Sequence, residues 1–482
     1  MTVVKFEIRP GAYYDSVVLM QLQRALADLP GVEDAGVVMA TAANCDLLAS
    51  SRLLPEEATT AGPDDLLIVV RAQDDGAASA ALAQVDDLIK KRRSRASQTF
   101  RPRSLPAAAG ALPDAEWVLV SVPGRYAAAV TREALELDKH VFLYSDNVSL
   151  EDEVELKQLA ADRGLLLMGP DCGTAIINGV GLGFANRVRR GRVGLVGASG
   201  TGLQAITTRI HQLGAGVSQA IGTGGRDLSP EVGGATAFQG LELLGRDPDT
   251  AAIVLVSKPP HPDVATRLLS AARHTGKPVV VYFMGYSTSV GQIGSRVHFA
   301  RSLDDAARQA VGLIKEPPDL GERGPGSEES RSAGRYLRGL FSGGTLAYEA
   351  LLGLQTTFAP LYTNVPLHEE QRLPDLMHSE AHTILDLGED EFTQGRLHPM
   401  MDNELRIRRL RQEAADPEVG LILLDVVLGE GAHPDPAAEL APAIEAVTDE
   451  TGVPIALVLV GTEDDPQDVD AQAERLAAAG AS

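Results

Sequence analysis

Two glycine-rich turns, each opening a predicted helix, carry the residues best suited to hold an anion. Their members are Ser199, Gly200, Thr201 and Gly202 in the first turn, and Ser342, Gly343, Gly344 and Thr345 in the second. The first N–H groups of a helix have no partner inside it, and glycine lets an anion approach the backbone closely. We therefore predict phosphate binding at both turns, with the hydroxyl groups as further donors. An ordinary N-cap is the alternative role for these Ser and Thr residues.

A third glycine-rich loop follows the next predicted strand. Its glycines, Gly222, Gly224 and Gly225, stand directly before Arg226 or close to it. Backbone N–H groups together with a guanidinium suit an oxyanion. We predict that these glycines bind phosphate and that Arg226 is a catalytic residue that clamps an oxygen. The corresponding later loop, 386–395, is acidic instead; its carboxylates would hold a cation or a metal-bound phosphate, or form a solvated turn.

Histidines at predicted loops are the candidates for proton transfer. His398 and His433 each precede a proline on the carboxyl side of a predicted strand, and we predict a catalytic role for one or both. A surface position is the alternative. His378 and His382 have the spacing of two ligands on one helical face, but the metalloprotease motif is missing, and we expect no tightly bound metal. Cys172 is expected to be a packed small residue.

Short apolar runs alternate with amphipathic segments along the chain. Examples of such runs are 193–196, 253–256, 279–283 and 421–427. Strands that are apolar throughout and separated by helices indicate parallel sheets covered on both faces. The predicted fold class is therefore α/β.

The second half of the chain contains an internal repeat. The matched pairs are 199–206 with 342–350, 247–256 with 416–425, and 276–285 with 452–461. Because the order of the matches is kept, we predict two similar α/β domains in tandem, with an insertion around 362–383 in the second.

The charge of the chain narrows its range of partners. Its 482 residues include 43 Lys and Arg against 66 Asp and Glu, which gives a formal net charge of −23. Such an acidic chain repels phosphate backbones, so we expect neither nucleic acid nor membrane as a partner. No apolar run reaches the roughly 18 residues that a membrane span needs, and two cysteines exclude a disulfide framework. We expect a cytoplasmic protein.

These motifs resemble succinyl-CoA synthetase α subunits. Residues 168–179, Met-Gly-Pro-Asp-Cys-Gly-Thr-Ala-Ile-Ile-Asn-Gly, resemble the strand-turn of that family's CoA-binding domain. Residues 191–285 are similar to the second α-subunit domain, and 341–350 with 395–399 look like the FdrA family of succinyl-CoA-synthetase-like proteins. In the resembling synthetases, phosphate lies between two helix N-termini from different subunits, whereas both predicted helices occur here on one chain.

The chain departs from the resembling family at its phosphoryl carrier. Residues 289–303 contain no Gly-His-Ala-Gly-Ala, the motif that carries the phosphohistidine. The family's Gly-Glu-Ile-Gly-Gly is replaced by Ser257-Lys-Pro-Pro-His261, and no grasp-type ATP-binding domain is recognisable.

The sequence predicts five segments along the chain. They are an N-terminal α/β region (1–105), a CoA-binding-like Rossmann half (106–190), a first synthetase-like flavodoxin-type domain (191–318), a linker (319–334) and a second synthetase-like domain (335–482). Proline and charge mark connectors at 90–106 and 316–333. The last helix stops where a further strand is expected, so the final domain is predicted to be incomplete.

The resemblance implies an enzyme subunit that handles an acyl-phosphate or carbamoyl-phosphate group between the tandem domains. The specific prediction is an oxamate carbamoyltransferase of ureide breakdown, which cleaves oxalurate with inorganic phosphate and needs no phosphohistidine. An NDP-forming acyl-CoA ligase with a nucleotide-binding partner is the alternative, and a non-catalytic CoA- or anion-sensing module is the second alternative. Inorganic phosphate is the expected substrate and CoA a further ligand. Other subunits of the same complex, in an oligomer, are the expected protein partners.

Overall fold

The computed structural model describes two compact units, Met1–Pro102 and Arg103–Ser482. The described residues are all those outside 1, 11–15, 28, 42–43, 46–47, 50–52, 63–64, 87, 89–101, 103, 287–295, 315–333 and 394–395. The predicted connector 316–333 and most of 90–106 therefore lie outside the described residues.

The first unit is built on a three-stranded antiparallel sheet with strand order β1-β3-β2. Its elements are β1 (Val3–Arg9), α1 (Ser16–Ala27), β2 (Val32–Met39), a 3-10 turn (Glu56–Thr60), β3 (Leu66–Ala72) and α2 (Asp75–Ala83). Side chains of a strand alternate between its two faces. Ile68 and Val70 of the central strand pack with Leu26, whereas Leu67 and Val69 pack on the opposite face in a separate cluster. The central strand is thus apolar on both faces.

The second unit begins with a parallel sheet of order β4-β5-β6. Its elements are α3 (Leu105–Ala111), β4 (Trp117–Val120), α4 (Gly124–Glu136), β5 (His140–Leu143), α5 (Leu150–Asp162) and β6 (Leu167–Met168). Ser149 starts α5 as an N-cap, since its side chain accepts from the Asp152 N–H. Helix α5 positions Glu153 and Lys157, which reach the loops of the next sheet.

A seven-stranded sheet of order β13-β12-β11-β9-β10-β7-β8 follows. Its strands are β7 (Thr174–Ile177), β8 (Val180–Gly183), β9 (Arg190–Ala198), β10 (Val217–Gly222), β11 (Ala252–Ser257), β12 (Val279–Phe283) and β13 (Val297–Phe299), and its helices are α6 (Gly200–Gln212), α7 (Ala235–Arg246), α8 (Pro262–Arg273) and α9 (Leu303–Leu313). Five strands are parallel in the flavodoxin order, which confirms the predicted fold class. The hairpin β7-β8, which was not predicted, adds an antiparallel edge to this sheet. Asn178 and Gly179 at its turn both have positive φ, as tight two-residue hairpin turns require.

The last sheet has five parallel strands in the order β15-β16-β14-β17-β18. Its strands are β14 (Tyr336–Phe341), β15 (Leu361–Thr363), β16 (His382–Asp386), β17 (Val419–Val427) and β18 (Ile455–Val460), and its helices are α10 (Gly344–Leu354), α11 (Asp390–Thr393), α12 (Glu404–Ala414), α13 (Pro436–Thr451), α14 (Val469–Ala478) and a 3-10 turn (Glu369–Gln371). The insertion predicted around 362–383 holds the 3-10 turn and overlaps the ends of β15 and β16. After α14, the Ser482 N–H donates to the Ile455 carbonyl at 2.9 Å, so the final residues lie along β18.

The two larger sheets share one hydrophobic core. Leu203 and Ile206 of α6 belong to the same buried cluster as Ala347 and Leu351 of α10. Burial of apolar surface on facing helices fixes the two repeats against each other. The loops at the starts of α6 and α10 are consequently held in a defined position.

A buried asparagine adds hydrogen bonds between the repeats. Asn186 Nδ2 donates to the Leu428 carbonyl at 3.0 Å and to Asp465 Oδ2 at 2.8 Å. We expect Asn186→Ala to lower the free energy of unfolding by about 1–3 kcal/mol, because two buried acceptors each lose one of their donors. Urea unfolding measures this loss, with the exposed Gln158→Ala as the control. Equal stabilities for the two variants would contradict the expectation.

Candidate active site

The two predicted phosphate turns meet in the structure. Ser199 Oγ lies 2.6 Å from Thr345 Oγ1, and the Thr345 N–H donates to Thr201 Oγ1 at 3.3 Å. All three side chains are buried. We call residues 199–202 the first turn and 342–345 the second turn. Their contact brings the N-termini of α6 and α10 together, which the sequence repeat alone did not specify.

The first turn keeps its helix donors open. Ser199 is the N-cap residue of α6, but its side chain does not cap that helix and bonds Thr345 instead. The first backbone bond of the helix runs from the Leu203 N–H to the Ser199 carbonyl, so the preceding N–H groups have no acceptor in the helix. Thr174 Oγ1 lies 3.3 Å from the position of a Cβ at Gly200, and this buried hydroxyl has no hydrogen-bond partner among the described residues. Open donors and an unpartnered hydroxyl suit an anion here.

The second turn is already occupied by a carboxylate of the chain itself. The N–H groups of Ser342 and Gly343 donate to Asp425 Oδ1 and Oδ2 at 2.7 and 2.9 Å. Burial raises the pKa of Asp425, although Arg406 and these donors act in the opposite direction. Asp425 thus engages the N–H groups of Ser342 and Gly343 in this structure, and phosphate binding by these two residues stays a prediction. No sequence motif indicated the contact with Asp425, since this residue lies on a distant strand.

A lysine lies beside the second turn. Lys258 directly follows β11, and its Nζ lies 3.1 Å from the position of a Cβ at Gly344. That ammonium donates to Glu389 Oε1 at 3.3 Å. Burial lowers the pKa of Lys258, but the carboxyl groups of Asp386 and Glu389 raise it, and the net direction is upward. Lys258 is therefore a cation at neutral pH. Its position at the carboxyl end of a parallel strand was the available sequence signal.

Two carboxyl groups, the buried Asp386 and the exposed Asp171, act on this lysine. Burial raises the pKa of Asp386 to about 7, and burial with the charge of Asp146 does the same for Asp171; Lys258 lowers both. Asp386 Oδ2 lies against Gly344, so a side chain at that glycine would collide with it. The acidic loop predicted at 386–395 thus contributes a carboxyl group to the site through its first residue.

The raised pKa of Asp386 has a consequence for stability. Its pKa rises from 3.8 to about 7 in the folded protein, so the stability that its bound proton provides is present below about pH 4 and is lost as the pH rises through 7. We expect unfolding free energy to fall less between about pH 5 and pH 8 in Asp386→Asn than in the wild type. Urea unfolding at both pH values measures this, with Asp138→Asn, 80% exposed, as the control. An unchanged pH dependence in Asp386→Asn would contradict the assignment.

His398 lies close to the same carboxyl group. A Cβ at Gly388 would be 2.8 Å from His398 Nε2 and 3.2 Å from Asp386 Oδ1, so these atoms converge. Burial, followed by the charge of Arg406, lowers the pKa of His398 to about 4. The Met400 N–H donates to Nδ1 at 3.2 Å, which leaves Nε2 as the protonated nitrogen of the neutral ring. His398 is thus placed as a hydrogen-bond donor beside Asp386.

His433 is engaged elsewhere. Its Nε2 lies 3.1 Å from Glu439 Oε1, and its Nδ1 accepts from the Asp435 N–H at 3.1 Å. Both ring nitrogens therefore have partners at the start of α13. These contacts give His433 a structural function, and they do not support the catalytic role expected from the sequence.

Arg226 forms hydrogen bonds with the segment that contains the parallel sheet β4-β5-β6. Its Nε donates to Glu153 Oε2 at 2.9 Å and its Nη2 to the Val148 carbonyl at 2.7 Å. Next to it, Asp227 pairs with the buried Lys157 at 2.6 Å and accepts from N–H groups at the start of α7. The guanidinium of Arg226 thus joins the loop to α5, and its predicted role as a clamp for a substrate oxygen stays a prediction.

The glycines of that loop serve close packing. A Cβ at Gly222 would lie 2.5 Å from Cys172 Sγ, and Gly224, with φ of 86°, lies against the Pro170 carbonyl. Gly225 has more room, with Asp171 Oδ2 at 3.6 Å from its Cβ position. The 169–174 segment thus packs on the Cβ side of Gly222 and Gly224, and phosphate binding by Gly222, Gly224 and Gly225 stays a prediction.

The remaining candidates do not form a site. His378 pairs with Asp375 at 2.7 Å on the surface, while His382 Nδ1 accepts from the Leu337 N–H at 3.0 Å. Within the described part of the chain, no group of three His, Cys, Asp or Glu residues could hold a metal ion. Burial raises the pKa of the Cys172 thiol to about 12, as suits a packed residue.

Two known protein families match segments of the second unit. Residues 188–285 match the family described as a CoA binding domain, and residues 340–482 match the family described as CoA-ligase. These domains are those of a succinyl-CoA-ligase-like protein. The chain is 43% identical to the uncharacterized protein YahF of Escherichia coli (strain K12), and the match covers 99% of this chain and 95% of YahF. The chain belongs to the FdrA-like family that includes YahF.

More distant relatives are ligase subunits. The α2 subunit of the ADP-forming succinate–CoA ligase of Archaeoglobus fulgidus is 29% identical to this chain. The match covers 37% of this chain and 62% of that subunit. The malate–CoA ligase α subunit of Methylorubrum extorquens is 23% identical over 41% of this chain and 71% of its own length. The solved dinucleotide-forming acetyl-CoA synthetase 1 of Ca. Korarchaeum cryptofilum is 16% identical, with a TM-score of 0.35 and coverage of 76% and 82% of the two chains.

The first unit matches a family whose description names heavy metals. Residues 1–103 match the family named AllF, heavy metal-associated domain. That segment contains one cysteine, Cys45, and no histidine. Soft metals favour sites with several thiolate or imidazole ligands. The residues of this segment do not fit such a site, and no chemistry is assigned to a metal here.

Among the described helices, none combines the length and the apolar character that a membrane span requires.

Proposed function

We propose that this chain is a subunit of an acid–CoA ligase of the succinyl-CoA-synthetase-like class, and that the N-terminus of α6 holds the phosphoryl group of an acyl phosphate. One observation carries the proposal: Ser199 leaves its own helix uncapped to bond Thr345, while the unpartnered hydroxyl of Thr174 faces the same helix start. The ligase relatives support the reaction class.

The helix start supplies electrostatic stabilisation. The N–H groups of Gly200, Thr201 and Gly202 are fixed by the fold, so they meet negative charge on phosphoryl oxygens without reorganisation. In acyl transfer to CoA, the thiol sulfur bonds the acyl carbon, the acyl–oxygen bond breaks, and inorganic phosphate leaves. The leaving phosphate carries the charge that the α6 donors stabilise.

CoA is the proposed acyl acceptor. The match of residues 188–285 to a CoA-binding domain supports this choice. The turn after β4 has a single glycine, Gly124, and therefore lacks the glycine-rich pattern with which such turns bind a diphosphate. We therefore assign no described residue to CoA.

The relatives favour the ligase over phosphorolysis of oxalurate, which has no support from the relatives reported above. Both reactions would use the same phosphate site. A reconstitution assay with the protein and candidate partner subunits separates them. Acyl-CoA formation that requires CoA, a nucleoside triphosphate and this chain is the expected result. Carbamoyl phosphate formed from oxalurate and phosphate would overturn the ligase proposal, and ligand binding without product in any mixture would favour the sensing module.

A further inference from the structure

We propose that Lys258 binds the anionic oxygens of the phosphoryl group and that Glu389 holds this lysine when the site is empty. This inference rests on the proposed function and adds a binding cation from β11 to the helix donors of α6.

Lys258 is close to the contact between the two turns. Its Nζ lies beside Gly344, and the next residue, Thr345, bonds both Ser199 and Thr201 of the first turn. The ammonium therefore lies beside the residue that directly precedes Thr345, the threonine that contacts the first turn.

The first turn has a second feature that points to an anion. Thr174 is 2% exposed, and its Oγ1 faces Gly200 without a partner among the described residues. Gly200 itself is partly exposed, so a ligand has access to this point. A buried hydroxyl without a partner costs free energy unless a ligand or water satisfies it.

The contacts of Lys258 leave it able to bind a ligand. Its side chain is 39% exposed, and an ammonium has three hydrogens to donate. Among the described residues its hydrogen bond goes to Glu389 Oε1 at 3.3 Å, and Glu389 is 38% exposed. A long, half-exposed ion pair is weak and can exchange partners. An incoming phosphoryl oxygen thus competes with Glu389 for the same ammonium.

Several carboxyl groups act on Lys258 and affect how it binds an anion. The charged or titratable side chains that act on Lys258 and its neighbours are Asp146, Asp171, Asp386, Glu389 and Asp390, together with Arg226 beside Asp390. Asp386 is buried and Asp171 is exposed, and because the pKa of each is raised to about 7, each carboxyl group is protonated in only part of the molecules near neutral pH. A protonated carboxyl group donates to a phosphoryl oxygen, whereas an ionised one repels it.

The test uses inorganic phosphate as the probe and isothermal titration calorimetry of the full chain as the measurement. Lys258→Met is expected to weaken binding about tenfold or more, because a charged donor is lost. Lys258→Arg, which keeps the charge, is expected to recover part of the affinity. Glu389→Gln is expected to tighten binding severalfold, since it releases the ammonium and removes a negative charge.

The double variant distinguishes ligand binding from a structural role. If Glu389 acts through Lys258, Glu389→Gln has no tightening effect in the Lys258→Met background. Wild-type affinity in a folded Lys258→Met, or weaker binding in Glu389→Gln, would overturn this inference alone. Absence of phosphate binding in the wild type would instead overturn the proposed function.

Discussion

A Gly200→Asp variant is expected to bind inorganic phosphate about tenfold or more weakly than the wild type. The new carboxylate would stand at the start of α6 and accept from the N–H groups that the phosphate requires. Asp425 already does this at the second turn, where it takes the donors of Ser342 and Gly343. An acidic residue in the first turn of a helix is favourable, so the fold is retained. Calorimetric titration with phosphate measures the change.

The matched control places the same side chain on another helix. Gly110 in α3 has open space around its Cβ position, and Gly110→Asp adds the same negative charge away from the site. Its phosphate affinity should equal that of the wild type. Equal weakening in both variants would show that total charge decides the affinity, and unchanged binding in Gly200→Asp would exclude the start of α6.

Removal of the Asp425 carboxylate is expected to have the largest effect on stability. Asp425→Ala leaves the N–H groups of Ser342 and Gly343 without an acceptor and the buried Arg406 without its counter-charge. Breaking a buried ion pair costs about 3–5 kcal/mol. Urea unfolding should show a loss in this range.

Two comparison variants sharpen that result. Asp425→Asn keeps the shape and one acceptor oxygen, so it should lose less stability than Asp425→Ala. Asp263, 91% exposed, offers a surface aspartate whose replacement by Ala should change the free energy of unfolding little. A loss in Asp425→Ala no greater than in Asp263→Ala would contradict the role of Asp425 as the internal ligand of the second turn.

Local patterns were enough to predict the α/β fold. Apolar runs such as 253–256 and 279–283 became β11 and β12, because strands covered on both faces must be apolar throughout. The hairpin β7-β8 was not predicted, since its four-residue strands are too short to give a clear period. The repeat indicated two similar domains but carried no information on how their loops face each other.

The candidate site was predicted only in part. Glycine and hydroxyl residues at helix starts located the two turns, and the structure joins Ser199 to Thr345. The occupancy of the second turn by Asp425 depends on a contact between residues 83 positions apart, which no local pattern encodes. Arg226 illustrates the same limit, because the partner that engages it, Glu153, lies in another domain of the chain.

Amide hydrogen exchange with and without inorganic phosphate tests the central claim most directly. The account predicts that phosphate slows exchange in peptides that contain Gly200, Thr201 and Gly202, because their N–H groups would donate to the ligand. Peptides that contain Ser342 and Gly343 should not change, since Asp425 already holds those N–H groups. Protection confined to the second turn, or no protection at the first turn at saturating phosphate, would contradict the account.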